Sequence, residues 1–234
     1  MASIPSFLSS AQIQFGTDGW RGVLGVDFTM EKLLRVSTAA AQELAYQAPP
    51  DLKTRTVVIG YDRRFMAQEL AESVADAVRG CELEPLITQT PVPTPACSWA
   101  VVNRKALGAL VITASHNPPE WLGLKIKGAF GGSVHEEFTQ AVERRLSGGA
   151  IVVPIEGCNQ SFNGREEHLD GLRNKFDVKS LLKGLKKSGL NIIVDPMYGS
   201  AAGCIQELLG GENQGLVKEI RCCRDALFGG NPPE

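Results

Sequence analysis

Residues 29–47 read TMEKLLRVSTAAAQELAYQ, and Leu33, Leu34, Ala40, Ala41 and Leu44 make one apolar stripe along them. That period predicts a helix, with Thr29 placed to cap it and Pro49-Pro50 to end it. The pattern then changes to a short run of continuous apolar, β-branched residues, TVVIGYD at 56–62, which predicts a buried strand. A second helical period covers 67–80 and closes at Gly80. A short strand is predicted at 83–88, and a helix follows the prolines at 91, 93 and 95. The fully apolar LGALVITA at 107–114 predicts another strand. Strands alternating with helices of this length predict an α/β fold with an α/β/α layered domain.

Beyond Leu146 the pattern breaks. Residues 147–166 carry no helical period, so a boundary is expected near 150, dividing the chain into a domain of residues 1–150 and a second unit at 151–234. In the second unit 168–184 reads as helix, LNIIVD at 190–195 as a new buried strand, and the small residues after it as a turn into another helix. Residues 216–223 offer one more strand. So short a unit is small for an independent core, and this second α/β domain is expected to be incomplete.

Composition narrows the class. The 234 residues are 43% hydrophobic and 21% charged, with 25 Gly and 13 Pro dispersed, which excludes a disordered or collagen-like chain. A formal charge of −2 gives no overall attraction for nucleic acid or an anionic membrane, and neither is expected as a partner. The longest apolar run, near 106–114, is too short to span a bilayer, and the N-terminus lacks the pattern of a secretory signal. A cytoplasmic location is expected. Six cysteines without a C-x-x-C pair read as reduced thiols rather than a zinc or disulfide framework.

The richest chemistry lies at 113–120, TASHNPPE, where the last apolar strand runs into a loop stiffened by Pro118 and Pro119. Ser115 is thereby placed at the carboxyl edge of a sheet, where ligands of α/β proteins bind. His116 cannot pair with it in the manner of a protease, because adjacent side chains diverge. Ser115 reads as a presented hydroxyl whose partners come from elsewhere, or as an ordinary serine in a polar turn. No phosphate-binding G-x-x-x-x-G-K-[ST] run exists, residues 128–132 lack a dinucleotide fingerprint, and Asp62-Arg63-Arg64 reads as a structural charge cluster without chemistry.

The segment TASHNPPE resembles the active-site serine loop of the phosphoglucomutase/phosphomannomutase superfamily, the α-D-phosphohexomutases. FGTDGWRG at 15–22 resembles the first motif of that family, and DPMYGSAAG at 195–203 the start of its second domain. The resemblance implies a mixed sheet, a phosphorylated Ser115, and phosphoryl transfer to and from a hexose monophosphate through a bisphosphate. Glucose or mannose 1- and 6-phosphates would interconvert. It implies Mg²⁺ held in part by the phosphate on Ser115. A dianionic phosphate passing through a loose transition state requires positive charge and in-line placement. By the same resemblance Arg21 is a fixed cationic fork in a glycine-rich turn, Lys125 a charge partner or acid/base group, and His116 an orienting residue. The rival readings are a surface arginine and a loop-packing histidine. Lys127 reads as a solvated surface lysine.

Two departures stand out. Leu122 occupies the place where many members of the family carry Asn. The family's D-G-D-G-D-R metal loop and its later sugar and phosphate loops have no counterpart in these residues, so the chain reads as an N-terminal portion. Within the superfamily Pro-Pro-Glu after His-Asn favours the glucose/mannose branch over phosphoglucosamine mutases. Outside it, the rival is a non-catalytic mutase-like module that binds a phosphosugar or a partner.

Overall fold

The expected helix at 29–47 forms as α1 (Met30–Tyr46), and Thr29 caps it by accepting the Lys32 amide at 3.3 Å. A computed structural model describes residues 13–16, 18–148, 154–210 and 215–233. The predicted succession continues as β2 (Thr56–Tyr61), α2 (Ala67–Gly80), β3 (Glu84–Thr88), α3 (Thr94–Arg104) and β4 (Gly108–Ile112). Gly80 does not turn the chain. It stays helical, and the left-handed residue is Glu82, with φ of 57°.

Four elements lie where the pattern predicted none: β1 (Trp20–Val23), β5 (Trp121–Gly128), α4 (Glu136–Ser147) and β6 (Gln160–Phe162). They complete a six-stranded sheet of order β1-β5-β4-β2-β3-β6. The run β4-β2-β3-β6, out to the β6 edge, is parallel, whereas β5 runs antiparallel to both β4 and β1, so the sheet is mixed. Strand alternation assigns the faces. Val57, Ile59, Leu110, Ile112, Leu122, Leu124 and Ile126 pack with α1, α2 and α4, while Val58, Ala109, Val111 and Phe162 pack with α3. Helices on both faces make the three layers. Leu122, the departure noted in the sequence, is buried in the first of these cores.

The expected division at 150/151 falls among residues 149–153, outside the described residues. The sheet draws β6 from beyond it, and α5 (Gly164–Lys175) packs on α3. The helix expected at 168–184 is in fact two. The chain extends at Phe176, and Asp177 caps α6 (Val178–Ser188) by accepting the Ser180 amide at 3.0 Å. The second unit contains β7 (Ile192–Val194), α7 (Cys204–Leu208) and β8 (Val217–Glu219), with β7 and β8 a parallel pair. The strand expected to be buried is not: Ile193 is 69% exposed. An apolar run records that both faces could be covered. It does not supply the covering layers.

Candidate active site

At the carboxyl end of β4 the chain continues through Thr113 and Ala114, both buried, and emerges at Ser115, which is exposed. Ser115 adopts the left-handed conformation, φ 59°, uncommon for a residue with a Cβ and characteristic of strained functional positions. The Ser115 amide donates to the Thr113 hydroxyl at 3.0 Å, and the Asn117 amide to the Ala114 carbonyl at 3.1 Å, which closes the turn.

The loop rests on Arg64, which is 1% exposed. Nη1 donates to the carbonyls of Pro118 at 2.8 Å and Trp121 at 3.1 Å. Nη2 donates to those of Ser115 at 2.9 Å and Asn117 at 2.7 Å. Asp62 accepts the Arg64 amide at 2.9 Å and lies 3.3 Å from Nε, an ion pair without hydrogen-bond geometry at that nitrogen. Burial pushes the Asp62 carboxyl above its ordinary range, against the opposing pull of the Thr113 hydroxyl and of Arg64. The structural role read for this cluster fits, and the part it organises is the serine loop.

Arg21 approaches from β1, where it pairs with Gly123 of β5, and its Nη1 donates to Asn117 Oδ1 at 2.6 Å. Lys125 projects from β5 and is 7% exposed, with Nζ bonded to Asp18. Lys127, two residues on and so on the same face, is also 7% exposed rather than solvated. Its Nζ reaches Ser133 Oγ at 2.7 Å and Asp18 at 3.3 Å. Burial would raise the Asp18 carboxyl, but bonds from Lys125 and Ser133 and the charges of both lysines hold it below its ordinary range.

Ser115, His116 and Lys125 line one cleft of about 410 Å³ together with Arg63, Thr113 and the first turn of α3 at Thr94 and Pro95. The positive end of a helix dipole there suits an anion. Met197, Gly199, Ser200 and Phe228 from the second unit form the facing wall. That wall is tied back where Arg63 donates to the Cys222 carbonyl at 2.8 Å and Arg224 to the Arg64 carbonyl at 3.4 Å. Three of the four expected residues therefore meet at the cleft, whereas Arg21 holds the loop from the side through Asn117. Asp18 and Asn117 were given no role from sequence, and Arg64 only a place in a structural charge cluster. Asp18 lies within the FGTDGWRG motif, and Arg64 follows a strand that ends beside the serine strand, but their partners are distant along the chain.

Among the described residues no three His, Cys, Asp or Glu side chains gather as a metal site. Among the described residues lining the cleft the carboxylate is Asp62, and it is committed to Arg64. The described donors do not fit a magnesium ion by themselves.

Fold and site together describe an α/β/α protein presenting a serine to an anion-suited cleft. Residues 12–150 match the family model of phosphoglucomutase/phosphomannomutase, alpha/beta/alpha domain I, and the chain belongs to that family. It is 30% identical over 204 residues to a phosphoglucosamine mutase of Trichormus variabilis, covering 85% of this chain. It is 26% identical over 230 residues to a phosphoglucomutase of Staphylococcus aureus, covering 93%. The chain spans 40% of the length of each. Among solved structures, a Thermus thermophilus protein assigned as a phosphomannomutase aligns with a TM-score of 0.85 at 34% identity, over 96% of this chain and 49% of that one. A phosphoglucomutase from Paramecium, pp63/parafusin, shares the fold at a TM-score of 0.76 and 18% identity, over 96% and 46%. No helix among the described residues is long and apolar enough to cross a membrane.

Proposed function

We propose that this chain carries the phosphoryl-transferring serine of a hexose phosphate mutase, with Ser115 as donor and acceptor. The observation that carries the reading is Ser115 itself: exposed, left-handed, and at the mouth of a cleft that also contains Lys125. In the forward step the P–Oγ bond of phosphoserine 115 breaks, a sugar hydroxyl oxygen bonds the phosphorus, and the hydroxyl proton ends on the Ser115 oxygen. The reverse step uses the second phosphate of the resulting bisphosphate. Lys125, paired with Asp18, stabilises charge on the transferring group. His116 orients the phosphate from the loop. Arg21 acts through Asn117 by holding the loop.

A hexose bisphosphate and its monophosphates are the substrate class, and glucose, mannose and glucosamine forms are all within the relatives' names. Of the described residues lining the cleft, Arg63 and Lys125 are the arginine and lysine, which serve one phosphate better than two. The 234 residues alone are therefore expected to exchange phosphoryl with Ser115 but to show no complete mutase turnover in a coupled assay.

The test is to incubate the chain with glucose 1,6-bisphosphate and follow its intact mass, with peptide mapping of the modified residue. One phosphoryl group should appear on Ser115. Ser115→Ala should take up none while keeping the parent's melting temperature, and Lys125→Ala should slow uptake by about 10²-fold. Uptake by Ser115→Ala at the parent rate would contradict the reading. No uptake by the parent would favour a binding module instead.

A further inference from the structure

We infer that Arg64 is a positioning residue for this transfer, its guanidinium setting the shape of the serine loop through the carbonyls of Ser115, Asn117, Pro118 and Trp121. The inference rests on the reading of Ser115 as the phosphoryl carrier and adds a residue to it.

The loop has an unusual need. Its carbonyls turn toward Arg64 while Pro118 and Pro119 supply no amide donors, and its own backbone bonds are those of the Asn117 amide to Ala114 and the Trp121 amide to Pro118. A carbonyl left without a donor is costly, and four carbonyls converge here, of which that of Pro118 also accepts the Trp121 amide at 3.1 Å. One planar guanidinium satisfies all four with two nitrogens. Lysine, with three donors on a single point, cannot span them.

The guanidinium is itself held. Asp62 pairs with it from β2's end, and the Phe228 ring lies over it at 4.9 Å from Cζ to the ring centre. Arg64 thus joins three parts of the cleft: the Asp62 turn, the serine loop, and the 3-10 turn Phe228–Gly230 of the far wall. The left-handed conformation of Ser115 persists only where its surroundings over-determine it, and Arg64 is the group that grips the Ser115 carbonyl. Displacing a reacting oxygen by about 1 Å is enough to slow transfer by about 10²-fold.

The experiment compares the parent with Arg64→Lys and Asp62→Asn, the second conserving shape should the first fail to fold. Two readouts are taken: phosphoryl uptake from glucose 1,6-bisphosphate across a range of donor concentrations, and amide hydrogen exchange by residue. Arg64→Lys should lower the saturating uptake rate by about 10- to 10²-fold, with the half-saturating concentration within about threefold of the parent. Asp62→Asn should do the same more weakly. Exchange should quicken at residues 115–121 and stay at the parent's rate in the interior of β2 and β4. Parent-like saturating rates in the folded variants would overturn the inference, as would quickening spread evenly over the sheet. A parent that takes up no phosphoryl would sink the functional reading, and exchange at 115–121 would then decide on Arg64 alone.

Discussion

Asp18 serves two buried ammonium groups, which makes it the residue whose ionisation the site depends on most directly. Its carboxyl titrates lower in the fold than in the unfolded chain. The ionised form therefore adds stability, present above about pH 4 and lost as the pH falls through the lower folded value. Asp18→Asn would leave Lys125 and Lys127 without their counter-charge, at a cost of about 1–3 kcal/mol near neutral pH. Thermal melts should show a lower midpoint for the variant at neutral pH and a gap that narrows below about pH 4, where the parent's own carboxyl is protonated. An unchanged gap would mean that Asp18 contributes through packing and not through charge. Arg64 shows the complementary case. With Asp62 and Arg63 it was legible as a structural charge cluster, but its four carbonyl partners lie more than fifty residues away and no local spacing announces them.

At the scale of elements, β5 is the segment on which the site is hung. One face supplies Leu122, Leu124 and Ile126 to the core, and the other presents Lys125 and Lys127. Gly123 lets β1 and the end of β4 approach it closely: an added Cβ would lie 2.7 Å from the Thr113 carbonyl oxygen and 2.8 Å from that of Trp20. Both are backbone atoms and cannot swing aside. Gly123→Ala is expected to destabilise the chain by about 1–3 kcal/mol, measured by urea unfolding, and to loosen Arg21 from Asn117. The alternation of Leu122, Leu124 and Ile126 with Gly123, Lys125 and Lys127 is regular and is a strand signal in the sequence; what the sequence lacks is the partner of the lysine face. Lys127 looks solvated until the fold places Asp18 against it. The helix expected at 168–184 failed for a different reason, since Asp177 offers a cap that competes with continuation through Phe176.

Across the whole molecule, stability is expected to be uneven. The first sheet has buried clusters on both faces, whereas α6 buries none of its residues and Leu181, Leu190 and Ile193 are exposed. Hydrogen exchange should be faster in residues 178–194 than in β2 and β4, by the ordinary relation between buried contact and local opening. Equal protection in the two regions would show that the second unit is better packed than its exposure indicates. The cleft wall at 222–230 should fall between these limits, because Arg63, Arg64 and Arg224 tie it to the first unit.

The alternation of α1, β2, α2, β3, α3 and β4 is a local property, set by apolar period, caps and prolines, and the chain pattern alone determined it. So did the serine loop, because a strand running into Ser-His-Asn-Pro-Pro is a contiguous signal. Tertiary structure decided the order of the strands, the antiparallel placement of β1 and β5, and the recruitment of β6. It also decided that Lys127 is buried, that Arg21 bonds Asn117, and that Arg64 supports the loop. Those outcomes depend on contacts between residues far apart in the chain. Their energies arise only once two faces have met, and no window along the sequence contains both partners.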